Sequence, residues 1–306
     1  MAMSSAGGEP WPLTSFQEGV TEYEWSPDGK KIAFLSPDPP PASEVQHKKD
    51  KSYVIGVDRN DRFPRIWIQD VSGKAPKALT PPNQFIMDFG WSPDGRMLVY
   101  SASDVSGFNA MYRTRIYKIA AAGGDPQAVV DRPGMNLASR YSPDGRWIAF
   151  ISTDGYNGQV AAEGLYLVSS DGEAQTIRNL TNAIEPWIGE FVWAPDSRSI
   201  LFIPNEQTSG SAEHMFEQPI MRVWLDDGRI ESLTPQPVVN FSLTFSRDGR
   251  YVAYKSVQNR TMGDVYVMSL SDRRATQLTE INPELHTMEL GELKPVHWKS
   301  SDNAEI

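Results

Sequence analysis

Aspartate recurs at regular intervals along the 306-residue chain, and its carboxylates are the first candidates for chemistry. The phrase that carries them reads WSPDG, WSPDG, YSPDG, WAPDS and FSRDG, with the acids at Asp28, Asp94, Asp144, Asp196 and Asp248. Such a carboxylate could act as an acid or base, but after Ser-Pro it also accepts backbone N–H groups within a tight turn. Because the acid is kept where Pro becomes Arg247 and Gly becomes Ser197, we expect the structural role.

Side chains for nucleophilic or metal-assisted catalysis are scarce. The chain has no cysteine, which excludes disulfides, thiolate metal sites and cysteine nucleophiles. Its histidines are His47, His214, His286 and His297, and the serine-hydrolase elbow Gly-x-Ser-x-Gly does not occur. His214 follows Glu213, but no third metal ligand stands at a useful spacing. We therefore expect no catalytic triad, no metal and no cofactor in this chain.

The repeated phrase also defines the elements that carry these residues. Its copies are 66, 50, 52 and 52 residues apart, a period that suits a propeller blade with one insertion in the first interval. A second phrase, Leu-Thr, closes each unit at 13–14, 79–80, 180–181, 233–234 and 278–279, with Val-Val-Asp at 129–131 in the remaining place.

Alternating apolar and polar residues between these phrases predict strands, as in 30–36, 96–102, 146–152 and 250–256. Third strands follow, for example at 65–71 and 264–270, so each unit is predicted to be a four-stranded antiparallel sheet. The aromatic residue before each turn should pack between neighbouring blades; these are Trp25, Trp91, Tyr141, Trp193 and Phe245. The predicted fold is an all-β propeller with five complete repeats and a split or partial sixth blade.

Composition limits the function classes. The formal net charge is −10, and the one dense basic run, 47–51, is interrupted by Asp50, so nucleic-acid binding is not expected. No apolar run approaches the roughly 18 residues of a membrane-spanning helix. The compartment stays open between cytoplasm and periplasm.

The aromatic-Ser-Pro-Asp-Gly hairpin with a terminal Leu-Thr resembles the repeat of the Tol-system propeller and of the N-terminal propellers of prolyl-oligopeptidase-type serine peptidases. The tail "LTEINPELHTMELGELKPVHWKSSDNAEI" favours the peptidases, of the acylaminoacyl-peptidase-like kind, because it is similar to the junction with their α/β-hydrolase domain. Asn303 departs from the glycine of that junction. The absence of a Glu-Glu pair argues against the dipeptidyl-peptidase-IV subgroup.

The resemblance implies a non-catalytic propeller that gates peptides to a triad lying in a hydrolase domain outside this chain. Peptides would then be partners through that missing domain. The alternative is a free-standing propeller scaffold that binds a protein partner, as the Tol-system propeller does. A propeller lactonase or glycosidase is disfavoured, because the predicted first strands lack a cluster of His, Asp and Glu.

In such peptidases, polar residues of the innermost strand face the channel. By this resemblance the channel candidates are the acids Glu22, Glu24, Asp88 and Glu190 together with Arg140, and the acids would attract a peptide N-terminus. The alternative is that the acids are solvated or bonded to adjacent blades.

Two loops complete the candidate set. The insertion 37–65 begins with a proline run and is predicted to be a loop of polyproline II character. Its Arg62 and Arg65 could pair with a substrate carboxylate or with the missing domain, although a solvated loop is the competing interpretation. Residues 205–219 are predicted to form a flexible blade loop.

The two ends of the chain give a prediction about closure. Residues 2–14 align with 267–279, so the chain begins within the third strand of a blade. Within residues 294–306, Trp298 falls at the repeat spacing after Phe245, where the aromatic residue before a turn is expected. This segment could therefore supply the first two strands of that blade. We assign 1–280 to the propeller and 281–306 to a short helix, predicted at 282–290, and a hinge strand.

Overall fold

The turns that carry the repeated aspartates join the first two strands of each sheet. The computed structural model describes residues 2–4, 6–14, 16, 18–52, 62–73, 75–156, 163–171, 177–184, 187–205, 218–234, 238–258, 261–289 and 298–302. In the first turn, Asp28 Oδ1 accepts the Ser26 hydroxyl at 2.7 Å and the Lys30 N–H at 3.0 Å. The four other turn aspartates accept the N–H two residues later in the same way. The structural role predicted for these acids is thereby observed in every copy.

Five four-stranded antiparallel sheets follow from these turns, each a meander in chain order. Blade one contains β1 (Glu22–Trp25), β2 (Lys31–Pro37), β3 (Pro64–Asp70) and β4 (Lys77–Ala78). Blade two contains β5 (Phe85–Trp91), β6 (Met97–Ser103), β7 (Arg115–Ala120) and β8 (Gln127–Val130). Blade three contains β9 (Asn136–Tyr141), β10 (Trp147–Ser152), β11 (Gly164–Ser169) and β12 (Arg178–Asn179).

The remaining strands form two further sheets of the same kind. Blade four contains β13 (Trp187–Trp193), β14 (Ser199–Asn205), β15 (Met221–Trp224) and β16 (Ile230–Ser232). Blade five contains β17 (Val239–Phe245), β18 (Tyr251–Gln258), β19 (Thr261–Ser269) and β20 (Ala275–Gln277). The predicted all-β architecture of propeller-like blades is confirmed. No helix in the described ranges is long and apolar enough to cross a membrane.

The Leu-Thr phrase fastens the fourth strand of a blade to its third. Thr80 Oγ1 accepts the Ile66 N–H at 3.0 Å, and the Leu79 N–H donates to the Ile66 carbonyl at 2.8 Å. The same pair of bonds recurs at Thr181, Thr234 and Thr279. A threonine that accepts a buried N–H explains why this phrase marks the end of the unit.

The chain divides into two compact units, 1–159 with 168–176 and 160–167 with 177–306. In the first unit, apolar residues of blades one and two form one core that includes Leu35, Phe89, Trp91 and Tyr100. In the second unit, a core between blades four and five includes Leu201, Leu243, Tyr254 and Tyr266. Residue contacts across consecutive blades thus hold each unit together.

Packing of the turn aromatics varies along the chain. Trp91 and Trp193 are both 9% exposed, as expected for residues between blades, whereas Trp25 is 46% exposed. The prediction is wrong for Trp25, which lines an open pocket together with Ala2, Met3 and Leu13 of the N-terminal segment. That segment does contain an antiparallel bridge, Ala2 to Trp11, which matches the Val267–Thr276 pair of β19 and β20 after alignment on Leu-Thr.

The insertion and the tail differ from their predictions. The insertion contains a helix, α1 (Ala42–Lys49), directly after Pro41, whose φ of −63° and ψ of 152° are those of polyproline II. An i,i+4 pair, Glu44 with Lys48 at 3.1 Å, supports that helix. The tail forms a five-residue 3₁₀ helix at Pro283–Thr287 rather than a helix over 282–290. Residues 206–217, 294–297 and 303–306, on which the predicted flexible loop and most of the predicted closing strand fall, lie outside the described residues.

Candidate functional site

Four of the predicted site residues come together on the first strands of three successive blades. Glu22 and Glu24 lie on β1, Asp88 on β5 and Arg140 on β9, all within the first compact unit. We call this set the Arg140 cluster. Its four members are partly buried; Asp88 and Arg140 adjoin the buried Phe89 and Ser139, whereas Tyr23 and Trp25 beside the glutamates are exposed.

The Arg140 guanidinium lies between carboxylates of two different blades. Its Nη1 is 3.6 Å from Asp88 Oδ1, and its Nη2 is 4.0 Å from Glu24 Oε1. Nη1 also donates to the Ser139 carbonyl at 2.8 Å, which orients the group. Gly90 provides the space, since a Cβ there would lie 3.1 Å from Arg140 Cδ.

Burial and mutual repulsion change the acidity of the two glutamates. Desolvation raises the pKa of Glu22, and the charges of Asp88 and Glu24 raise it further, while Arg140 opposes them. Desolvation also raises the pKa of Glu24, against Arg140 and the Trp91 N–H, which favour the carboxylate. With three carboxylates around one guanidinium, the cluster has an excess of negative charge when ionised.

Asp88 differs from the two glutamates because its oxygens are bonded to the next blade. Oδ2 accepts the Ala138 N–H at 2.9 Å, and Oδ1 accepts the Ser139 N–H at 3.0 Å and the Ser101 hydroxyl at 3.1 Å. Ala138 has a φ of 56°, in the left-handed region that is costly for alanine. The carboxylate thus stabilises a strained turn of the neighbouring strand.

Glu190 plays the equivalent part in the second unit. Its Oε1 accepts the Leu243 N–H at 2.7 Å, directly after Ser242, whose φ is 61°. The first strands carry a register shift close to these positions, in β5, β9, β13 and β17. A bulge re-aims the side chains around it, so the simple alternation behind the channel prediction does not hold along the whole strand.

The two insertion arginines are held by acids of their own region. Arg62 pairs with Glu18 at 3.1 Å and with Glu44 at 3.7 Å. Arg65 Nη1 donates to both carboxylate oxygens of Asp38, at 2.8 and 3.0 Å, and its Nε donates to the Thr80 carbonyl at 2.7 Å. These contacts tie the insertion to blade one and pair both guanidinium groups with acids that are not members of the Arg140 cluster.

Sequence reasoning missed Gly90 and Ala138, which make the cluster possible. One signal in the sequence could have indicated Ala138. At the position four residues before the second residue of each turn phrase, acids alternate with small residues from blade to blade: Asp88, Ala138, Glu190 and Ser242. In chemical terms the cluster can attract an ammonium group or hold a proton on a glutamate. Among the described residues, no group of three or more His, Cys, Asp or Glu is arranged to hold a metal ion.

Comparisons with known proteins agree with this fold. The family model of the TolB β-propeller domain (PD40) matches residues 51–284. Dipeptidyl-peptidase 5 of Porphyromonas gingivalis is 24% identical over 244 residues, which are 71% of this chain and 34% of that protein. The chain therefore spans about a third of the length of this curated relative.

Solved structures with the same fold include peptidases and TolB. A mutant of puromycin hydrolase complexed with PGG superposes with a TM-score of 0.69 at 14% identity, over 99% of this chain and 44% of that chain. TolB from Acinetobacter baumannii superposes with a TM-score of 0.58 at 20% identity, over 91% of this chain and 59% of that chain. The propeller is thus similar to those of peptidases and to TolB, and the chain belongs to the TolB β-propeller (PD40) family.

Proposed function

We propose that this chain is the non-catalytic propeller domain of a serine peptidase, which admits peptides to an α/β-hydrolase active site outside these 306 residues. The observation that carries the proposal is the match with dipeptidyl-peptidase 5, which takes up 71% of this chain but 34% of that peptidase. The remaining two thirds of such a protein leave room for a catalytic domain. The absence of a Gly-x-Ser-x-Gly elbow from this sequence is in keeping with that division.

Within this function, the Arg140 cluster is the proposed contact for the peptide N-terminus. Glu22 and Glu24 have partly exposed carboxylates, and the pKa of each is raised, so a ligand ammonium would relieve the unfavourable negative charge. Asp88 is less available, since its oxygens are already hydrogen bonded to Ala138 and Ser139. The glutamates are therefore the proposed ligand contacts, with Asp88 as the residue that positions the neighbouring strand.

The binding test compares one peptide with a free N-terminus and the same peptide N-acetylated, by calorimetry on the purified chain. The peptide with the free amine should bind more tightly than the acetylated peptide. The double variant Glu22→Gln with Glu24→Gln should lower this ratio of affinities by about three- to tenfold. The control, Glu9→Gln with Glu289→Gln, changes the net charge equally at exposed positions. Equal binding of both peptides, or a preference that survives in the cluster variant, would refute the amine contact.

A free-standing protein-binding scaffold is the second candidate, favoured by the family model and by the likeness to TolB. The two functions differ in the gene that encodes the chain. A reading frame that includes an α/β-hydrolase region with a Gly-x-Ser-x-Gly elbow supports the peptidase, whereas a frame without one supports the scaffold.

A further inference from the structure

A small cavity in the first compact unit is lined by three arginines. Its volume is about 130 Å³, and its lining consists of Tyr112, Arg113, Arg115, Arg132 and Pro133. Pockets for drug-sized ligands measure about 300–1,000 Å³, so this cavity suits a single functional group. None of the described residues that line it is acidic.

Each arginine has an aspartate partner that lies toward solvent. The pairs are Arg113 with Asp104 at 3.2 Å, Arg115 with Asp131 at 2.5 Å and Arg132 with Asp154 at 2.5 Å. The three aspartate side chains are 59%, 67% and 62% exposed, and exposed ion pairs are weak. A guanidinium carries five N–H donors, so the aspartate leaves Arg113 and Arg115 with capacity for a second acceptor, whereas Arg132 also donates to Ser152 and Asn136 and contributes mainly its charge.

Buried polar residues fix the backbone that carries these arginines. Thr114 and Asn136 are both 0% exposed, and the Asn136 N–H donates to Thr114 Oγ1 at 2.7 Å. The Asn136 amide also donates to the Thr114 carbonyl at 2.8 Å. A parallel bridge joins Arg113 to Gly134, so the segments before β7 and β9 lie side by side.

Arg132 is the most rigidly held of the three. Its Nη2 donates to the buried Ser152 hydroxyl at 2.9 Å, and its guanidinium lies 5.8 Å from the centre of the Phe150 ring. Gly134 allows the loop to pack closely, since its φ is 98° and a Cβ would lie 2.8 Å from Thr153 Oγ1. Arg132 therefore presents a fixed positive charge, which loses little conformational freedom when an anion binds.

We propose that Arg113, Arg115 and Arg132 form a binding site for a carboxylate group of a peptide. The planar guanidinium fork matches the planar carboxylate in a bidentate arrangement. The net charge of −10 repels anions from the protein as a whole, so binding of a carboxylate would depend on a local positive site such as this one. The choice of a peptide as the source rests on the proposed function, while the site itself rests on the cavity and its arginines.

The test measures binding of N-acetylated peptides to the purified chain by calorimetry. One peptide ends in a free carboxylate, the second is its C-terminal amide, and the third is an amide with one internal glutamate. At least one carboxylate peptide should bind about tenfold or more tightly than the plain amide, and Arg113→Gln with Arg115→Gln should abolish the difference. Circular dichroism checks that this variant is folded, which is expected because both side chains are about half exposed.

The matched control is Arg146→Gln, which removes an Arg–Asp pair of the same kind, Nε to Asp144 Oδ2 at 2.7 Å, outside the cavity. It should retain the preference. Preference for the C-terminal acid or for the internal glutamate supports the site and identifies the source of the carboxylate. Equal binding of all three peptides, a preference that survives in the double variant, or binding of inorganic phosphate alone would overturn the proposal. Because no catalysis is measured, this result is separate from the test for a hydrolase domain.

Discussion

The Asp88 carboxylate accepts the N–H of Ala138 at 2.9 Å, and so a side chain of one blade stabilises a left-handed residue of the next. Asp88→Ala should lower the free energy of unfolding by about 3 kcal/mol, because it leaves the N–H groups of the partly buried Ala138 and the buried Ser139 without their acceptor. Urea unfolding measures the change. Asp125→Ala, at an exposed position, should stay within about 0.5 kcal/mol. Equal losses in both variants would contradict the role given to Asp88.

The backbone of Ala138 offers an independent check. With a φ of 56°, it is in a conformation that glycine adopts without strain. Ala138→Gly should therefore be neutral or stabilising by up to about 1 kcal/mol, although the same change in a regular strand destabilises. Clear destabilisation in urea unfolding would show that the left-handed conformation is not populated.

The turn aspartates predict how stability depends on pH. Hydrogen bonds from Ser246 and Arg250 lower the pKa of Asp248 to about 2. Because this folded-state pKa is below the unfolded value of about 3.9, the stabilisation is present above that value and is lost as the pH falls toward 2. Carbon-13 NMR of the carboxyl group gives the pKa directly. Ser246→Ala should raise it, and an unchanged pKa would contradict the proposed cause.

Thr80 tests the explanation of the Leu-Thr phrase. Thr80→Val keeps the shape but removes the oxygen that accepts the Ile66 N–H, and should destabilise the chain by about 1–3 kcal/mol. Thr80→Ser, which keeps the hydroxyl, should retain most of the stability. If thermal unfolding shows that Thr80→Val is as stable as Thr80→Ser, the explanation given for the Leu-Thr phrase is contradicted.

Arg140 controls the acidity of the cluster. Its charge lowers the pKa of both Glu22 and Glu24, so Arg140→Met should raise both values further above normal. For an acid whose folded pKa is raised, the unfavourable contribution to stability is present above that pKa and disappears as the pH falls below the unfolded value. The variant should therefore gain more stability than the parent as the pH falls from above these raised pKa values to below the unfolded glutamate value of about 4.3. Carboxyl NMR that finds neither pKa changed would contradict the geometry of the cluster.

The repeats made most of the fold predictable, because every blade repeats the same turn chemistry and the same Leu-Thr pairing. Asp28 could be assigned to its turn from Ser26 and Gly29 alone. The site was harder, since a strand pattern of period two cannot show a bulge, and the left-handed Ala138 carries no signal in its own identity. The helix α1 was missed because its stabilising pair, Glu44 with Lys48, lies in a segment dominated by prolines and mixed charges.

The location of the reactive serine tests the central claim most directly. The complete product of the gene is treated with a fluorophosphonate that labels active serine hydrolases, and the modified peptide is identified by mass spectrometry. A peptidase whose propeller is this chain should carry the label on one serine outside residues 1–306, within a Gly-x-Ser-x-Gly sequence. A label on a serine within 1–306, or no label on the folded full-length protein, would contradict the account.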